Sequence, residues 1–202
     1  MPVFDSSCLP VHSAAEKKAF CNHKEPAWKP ITHQRHTIPT DYLHWVEDSG
    51  SLTKKLVNKA NGHFSVSVLR QSIRSIPLSE KSLLQNPLQQ WALVREVVLY
   101  GNNIPWVYAR TAIPIGTLKG PLRRLHYLGN RPLGEQLFTD PTMQRGHLEA
   151  AKIYPHHIPD TIAKSDNALP ETTWGRRSVF YLSSQPLLVS EIFLPALVNA
   201  SP

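Results

Sequence analysis

Three charged side chains are embedded in otherwise apolar stretches of this sequence, and they are its best candidates for chemistry. They are Arg95, Arg110 and Glu191. Each lies in the middle of a run rich in Val, Leu and aromatic residues, of which Trp91–Tyr100 is the longest, and such runs predict β-strands. Side chains alternate between the faces of a strand, so each charge shares a face with apolar neighbours, where it is costly unless it is paired.

Two interpretations of these charges are open. In the structural one, Arg95 or Arg110 forms an internal salt bridge with Glu191 or Glu96. In the other, the arginines and a carboxylate surround a cavity for a ligand with a carboxylate at one end and a hydroxyl at the other, because a guanidinium fork binds carboxylates bidentately. Direct contact between Arg95 and Glu191 favours the salt bridge, whereas a cavity between them favours the ligand.

No motif of nucleotide, metal or covalent chemistry accompanies these charges. The sequence lacks a P-loop, a dinucleotide-binding fingerprint and a nucleophile elbow. The spacing of the N-terminal zinc-ligand types matches no compact zinc pattern; these residues are Cys8, Cys21, His23, His33 and His36. We therefore predict neither a metal ion nor a cofactor.

Composition limits the classes of protein further. The chain has 202 residues, enough for one domain with a full core, and its 18 prolines argue against long helices. No apolar run is long enough to span a bilayer, and Glu16–Lys18 interrupts any signal-peptide pattern. The two cysteines indicate no disulfide framework, so a reduced, cytoplasmic location is expected. The net charge of +7 fits an anionic partner, which ranges from nucleic acid or acidic lipid to a small polycarboxylate.

Turn residues connect the predicted strands into hairpins. Gly101–Asn103 tolerate positive φ and join Trp91–Tyr100 to Ile104–Ile113 as an antiparallel pair. Ser183–Pro186 joins the last two predicted strands in the same way. The pattern predicts one α+β domain over residues 41–202, with an antiparallel sheet of about six strands and short helices.

The other segments are interpreted as strands, helices, loops and an extension. Further strands are predicted at residues 63–70 and 146–153, short helices at 41–46, 52–57 and 118–128, surface loops at 71–86 and 154–172, and a poorly ordered N-terminal extension at 1–40.

The two helices at 41–57 are arranged like a helix-turn-helix hairpin. A DNA-binding hairpin needs a basic recognition helix, and Lys54, Lys55 and Lys59 are too few for one. Nucleic acid is therefore not the expected partner.

Five stretches resemble, in order, the successive motifs of the chorismate pyruvate-lyase family, bacterial enzymes that make 4-hydroxybenzoate for ubiquinone. The resemblance runs from about Asp41 to Pro195. Five motifs in order are far more specific than one. They are Trp91–Leu99, Ala109–Pro114, Pro132–Phe138, Trp174–Ser178 and Ser190–Pro195.

The resemblance implies both a fold and an activity. The implied fold is a single α+β domain with an antiparallel sheet and helix-turn-helix flaps over an internal pocket. The implied reaction removes pyruvate from chorismate and leaves 4-hydroxybenzoate, the first committed step of ubiquinone biosynthesis, without a cofactor. It further implies a cytoplasmic monomer that is neither membrane-embedded nor bound to nucleic acid.

The resemblance also implies roles for five residues. Arg95 would bind the ring carboxylate of the ligand, and Glu191 would contact the hydroxyl at the opposite end. The backbone amide of Leu133 would also face the hydroxyl end. Leu52 would contact the ligand from a flap, where Met is usual in the family, and Arg110 would line the ligand route.

A non-catalytic sensor of small aromatic acids is the alternative. The same fold serves as the effector-binding domain of some bacterial transcription regulators, in which a DNA-binding domain precedes it. Residues 1–40 are too short and too rich in proline for such a domain, which favours the enzyme.

Overall fold

A single antiparallel sheet organises the structure. The computed structural model describes residues 25–85, 91–163 and 171–199. Within them, eight strands form one sheet in the order β1-β6-β7-β8-β4-β3-β2, and β5 pairs separately with β7. The expected α+β architecture is confirmed. The strands are β1 (Lys29–Pro30), β2 (Phe64–Ser75), β3 (Trp91–Gly101), β4 (Ile104–Pro114), β5 (Gln144–Arg145), β6 (Glu149–Ile153), β7 (Thr173–Leu182) and β8 (Gln185–Phe193).

Both hairpins turn where the sequence predicts. Asn102 and Asn103 adopt φ angles of 54° and 62°, and Ser183 and Ser184 adopt 46° and 62°. Paired positive φ angles match the right-handed twist of the flanking strands. Gly101 is needed because a Cβ there would collide with the Trp106 ring.

Short helices cover the sheet. Ser51 caps one of them, because its side chain accepts a hydrogen bond from the backbone N–H of Lys54. No helix among the described residues is long and apolar enough to cross a membrane. The helices are α1 (Ile31–Gln34), α2 (Thr40–Val46), α3 (Leu52–Lys59), α4 (Leu78–Leu83), α5 (Leu133–Phe138), α6 (Asp160–Ala163) and α7 (Pro195–Asn199), with 3-10 turns at Arg35–Thr37, Ile115–Thr117, Gly120–Tyr127 and Pro155–His157.

The central strands bury both faces. On one face, Leu93, Val97 and Leu99 of β3 belong to apolar clusters that include residues of α2, α3, α5 and the 3-10 segment Gly120–Tyr127. On the other face, Val94 and Val98 pack with residues of β7, β8 and α6. Burial on both sides explains why β3 is an almost continuous apolar run.

The predicted loop at 71–86 is wrong in its first and middle parts. Strand β2 continues to Ser75, and α4 follows it. The register between β2 and β3 shifts between Val68 and Arg70, which indicates a β-bulge. The bulge interrupts the alternation of apolar and polar side chains, so the sequence pattern ends before the strand does.

Two other segments are better packed than the sequence analysis expects. Within the expected extension, β1 pairs with β6, and Ile31 and Ile38 are buried. Within the expected loop at 154–172, Ile158 and Ile162 are buried in an apolar cluster. Isolated apolar residues among polar ones show no helical or strand period in the sequence, so the sequence pattern does not predict their burial beside the sheet. Residues 1–24 and 164–170 lie outside the described part, together with Cys8, Cys21 and His23.

Candidate active site

A cavity lies between the sheet and the helices that cover one of its faces. Strands β2, β3, β4, β7 and β8 form its floor, α3, α5 and the residues just before them form its roof, and β5 contributes one residue. Gly134 at the start of α5 allows close approach, because a Cβ there would collide with Thr53 of α3. The lining is mostly apolar and, among the described residues, includes four charged side chains, namely Arg95, Arg145, Arg176 and Glu191.

Arg95 projects from β3 into this cavity without a carboxylate partner among the described residues. The relative solvent exposure of Arg95 is 3%. It donates hydrogen bonds to Gln71 Oε1 at 3.1 Å and to the carbonyl oxygen of Arg131 at 3.2 Å. Burial lowers the pKa of Arg95 from its ordinary value. A buried cation held only by neutral groups can bind an anionic ligand.

Glu191 lines the cavity from β8 and pairs with Arg176, its cross-strand neighbour on β7. Arg176 Nε lies 2.6 Å from Glu191 Oε2. Arg176 is 1% exposed and also donates to the carbonyl oxygens of Trp45 and Asp48. No described residue donates a hydrogen bond to Glu191 Oε1, so that oxygen is available to a ligand.

Arg95 and Glu191 do not form the salt bridge that the structural interpretation predicts. Arg95 lies opposite Thr111 on β4, and Glu191 lies opposite Ala109 on the same strand. They therefore share a face but are two strands apart and two residues out of step. Standard sheet spacings separate their Cα atoms by about 12 Å, with the cavity between the two side chains.

Arg145, in the two-residue strand β5, is a further cavity-lining arginine. Its Nη1 donates to the carbonyl oxygens of Ser49 at 2.9 Å and Asp48 at 3.3 Å, and its guanidinium lies 4.9 Å from the Phe180 ring centre. Its Nε is buried without a hydrogen-bond partner. Burial, aided by the nearby charge of Arg176, lowers the pKa of Arg145 to about 10.

The two predicted apolar contacts also line the cavity, one toward each end. Leu52, at the start of α3, packs with Val97 and Leu99 in the cluster nearer Glu191. Leu133 opens α5, so its backbone N–H has no acceptor within the helix. Leu133 packs against the apolar cluster that contains Leu93, two residues before Arg95. Arg95 also donates to the carbonyl oxygen of Arg131, so Leu133 lies nearer to Arg95 than the resemblance implies.

Arg110 does not line the cavity, contrary to the expectation. It projects from the opposite face of β4 and forms a bidentate pair with Glu80, at 2.8 and 3.1 Å, and a bond to Glu96 Oε1 at 2.8 Å. Although burial acts to lower it, the two carboxylates raise the pKa of Arg110 above its ordinary value. The internal ion-pair interpretation is therefore correct for Arg110, because its side chain lies on the opposite face of its strand from the residues that line the cavity.

Replacing Arg110 by Met is expected to destabilise the fold without a direct effect on the cavity. Glu80 is 7% exposed, so its carboxylate would lose its partner in a buried site. Losing one partner of a buried pair costs about 3–5 kcal/mol of unfolding free energy, which urea unfolding would measure. The affinity of the folded variant for an aromatic carboxylate should stay within about threefold of the unmodified protein. A large loss of affinity at unchanged stability would contradict this placement.

Two cavity residues, Arg176 and Arg145, are absent from the sequence prediction. Arg176 carries the same signal as Arg95, a charge in mid-strand that shares a face with Trp174 and Phe180. The pattern that singles out Arg95 therefore singles out Arg176 as well. Arg145 carries no such signal, because its strand is two residues long and lies in a stretch without an apolar period.

Solved structures share the fold at low sequence identity. A GntR-family transcriptional regulator from Bacillus cereus superposes with a TM-score of 0.51 at 13% identity, covering 69% of this chain and 97% of that one. The ligand-binding domain of a GntR-family regulator from Bordetella bronchiseptica gives a TM-score of 0.50 at 15% identity, covering 66% of this chain and 84% of that one. At this level of identity the likeness concerns the fold alone.

Sequence relatives are much closer. A Methylococcus capsulatus protein named "Probable chorismate pyruvate-lyase" is 43% identical over 156 residues, which cover 77% of this chain and 95% of the relative. A protein of the same name from Nitrosomonas europaea is 37% identical over 172 residues, covering 85% of this chain and 94% of the relative. The sequence model of the family described as chorismate lyase matches residues 24–200, and the chain therefore belongs to the chorismate lyase family.

Proposed function

We propose that the protein is a chorismate pyruvate-lyase, which eliminates pyruvate from chorismate and releases 4-hydroxybenzoate. Its place would be the first committed step of ubiquinone biosynthesis, in the cytoplasm, as a monomer that needs no cofactor. The observation that carries the proposal is the cavity with Arg95, which lacks a carboxylate partner among the described residues, at one end and Glu191 at the other. Similar proteins named as probable chorismate pyruvate-lyases support it.

The two ends of the cavity match the two ends of the ligand. Arg95 makes two hydrogen bonds to neutral acceptors, and a guanidinium carries more donors than these, so it retains N–H groups for the ring carboxylate. The backbone N–H of Leu133 adds a donor near that end. At the other end, Glu191 Oε1 accepts a hydrogen bond from the ring hydroxyl, while Arg176 holds Oε2 in place.

The reaction asks little acid–base chemistry of the protein. The proton on the carbon that bears the hydroxyl is lost, the bond between the neighbouring carbon and the ether oxygen breaks, and the ring becomes aromatic. The expelled enolpyruvate takes up a proton and becomes pyruvate, so atoms and charge balance. The cavity contributes by orienting the dianion and by replacing water with fixed dipoles and charges. Glu191 also lies where it can assist removal of the proton.

The test is to incubate the purified protein with chorismate and to quantify 4-hydroxybenzoate by chromatography and pyruvate by a coupled dehydrogenase assay. Both products should appear in equal amounts, and neither should appear above the spontaneous rate with heat-denatured protein. Binding of 4-hydroxybenzoate without turnover would instead identify a sensor of aromatic acids. The fold shared with a regulator's ligand-binding domain gives that second candidate its support.

A further inference from the structure

Arg145 lines the cavity, but the proposed binding mode of the ring places no anionic group of the ligand beside it. Among the described residues, no carboxylate lies within ion-pair distance of its guanidinium. Its Nη1 is held by two backbone carbonyls, and its Nε is buried without any partner. The aromatic face of Phe180 is its other close neighbour. Arg145 is half-buried, and a partly desolvated cation with a buried, unused donor destabilises the fold unless a ligand compensates it.

Asp48 does not supply the missing anion. Arg145 contacts the backbone carbonyl of Asp48, whereas the Asp48 carboxylate accepts a hydrogen bond from the N–H of Gly50 and pairs with Lys55 Nζ at 3.2 Å. Although burial opposes it, these partners lower the pKa of Asp48 below its ordinary value. Its charge is therefore paired with Lys55 and acts on Arg145 only at longer range, where, against the larger effect of burial, it and Glu191 raise the pKa of Arg145.

The charge of the cavity exceeds what the product requires. Three arginines and one glutamate line it, which leaves two net positive charges when all are ionised. The Arg176–Glu191 pair is neutral, so the excess resides on Arg95 and Arg145. 4-Hydroxybenzoate carries one carboxylate, whereas chorismate carries a second one on its enolpyruvyl group. The cavity thus matches the charge of the substrate rather than that of the product.

The position of Arg145 also fits the second carboxylate. Arg145 and Arg176 both donate from Nη1 to the carbonyl oxygen of Asp48, and Arg176 binds Glu191 through Nε. The Arg145 guanidinium therefore lies toward the end of the cavity assigned to the ring hydroxyl. In chorismate the enolpyruvyl ether is attached to the ring carbon next to the one that bears the hydroxyl, so its carboxylate lies at that same end.

We propose that Arg145 binds the carboxylate of the enolpyruvyl group and thereby distinguishes the dianionic substrate from the monoanionic product. The inference rests on the proposed function, and it deepens it by assigning the second anion of the substrate. As the carbon–oxygen bond breaks, negative charge moves onto the departing enolpyruvate, which Arg145 also stabilises. When pyruvate leaves, Arg145 loses its anion, and only Arg95 continues to hold the aromatic product.

The experiment compares ligands that carry one and two carboxylates. In an Arg145→Gln variant, kcat/KM for chorismate should fall by about 100-fold, because the second carboxylate of the substrate would lose its charge partner inside the cavity. The Kd of 4-hydroxybenzoate, measured by calorimetry, should change by less than about threefold. Arg145→Lys should recover part of the loss, because it restores the charge without the fork. Arg123→Gln, which removes an exposed arginine, is the matched control and should leave both values unchanged.

A second measurement needs no turnover and so separates this inference from the proposed function. 4-Hydroxyisophthalate carries a second carboxylate beside its hydroxyl, and the unmodified protein should prefer it to 4-hydroxybenzoate by more than Arg145→Gln does. A fall in that preference of about tenfold or more supports the assignment even if chorismate is not consumed. Equal losses of affinity for both ligands would reveal a structural role through the carbonyl of Ser49 and overturn it. Unchanged affinity for the dicarboxylate would overturn it too.

Discussion

An Arg95→Ala variant is expected to lose about 3 kcal/mol of affinity for 4-hydroxybenzoate and for chorismate alike, which is about 100-fold in Kd. The reason is that Arg95 is buried and, among the described residues, has only the neutral acceptors of Gln71 and Arg131. A ligand carboxylate loses its hydration when it enters this cavity, and hydrogen bonds from the Arg95 guanidinium offset that desolvation cost. Calorimetry with 4-hydroxybenzoate and initial rates with chorismate measure the two losses.

Arg95→Ala also makes a prediction about stability that separates binding from folding. The unliganded variant should retain most of its unfolding free energy, because the substitution removes a charge that burial already disfavours. Added 4-hydroxybenzoate should raise the melting temperature of the unmodified protein but not that of the variant. Arg95→Lys should bind with intermediate affinity, since it keeps the charge and loses the fork. Unchanged affinity for both ligands in Arg95→Ala would show that another residue binds the carboxylate.

Changing Glu191 is expected to affect both stability and turnover. In Glu191→Ala, Arg176 would remain 1% exposed without a carboxylate, and unfolding should become easier by about 3–5 kcal/mol. Glu191→Gln preserves an acceptor for Arg176 Nε, so it should cost less stability while lowering kcat by about 100-fold. Urea unfolding and steady-state kinetics with chorismate test the two parts.

The chain contains a matched control for Glu191. Arg177 Nε lies 2.6 Å from Glu149 Oε2, the same contact as in the Arg176–Glu191 pair, at similar burial but outside the cavity lining. Glu149→Gln should therefore cost a similar amount of stability and leave kcat unchanged. Full turnover by Glu191→Gln would exclude a role for Glu191 in proton transfer and would leave it only the hydroxyl contact.

Much of the fold followed from local patterns. The hairpin of β3 and β4 was predictable because its strands are apolar on both faces and Gly101–Asn103 tolerate the turn. The hairpin of β7 and β8 was predictable for the same reason. The sequence pattern predicts β2 too short, since the bulge near Leu69 breaks its alternation, and it does not predict α4. Its six residues are too few for a helical period to stand out from a loop.

The sequence by itself determined that Arg95, Arg110 and Glu191 were charges in need of partners, because alternation along a strand places each among apolar neighbours. Only the tertiary structure decided which partner each one has. Arg110 meets Glu80 because α4 covers the far face, and Glu191 meets Arg176 because β7 and β8 pair in that register. Such contacts join segments whose relative positions depend on the packing of the whole sheet. For the same reason, only the assembled cavity shows that Arg95 faces it without a carboxylate among the described residues.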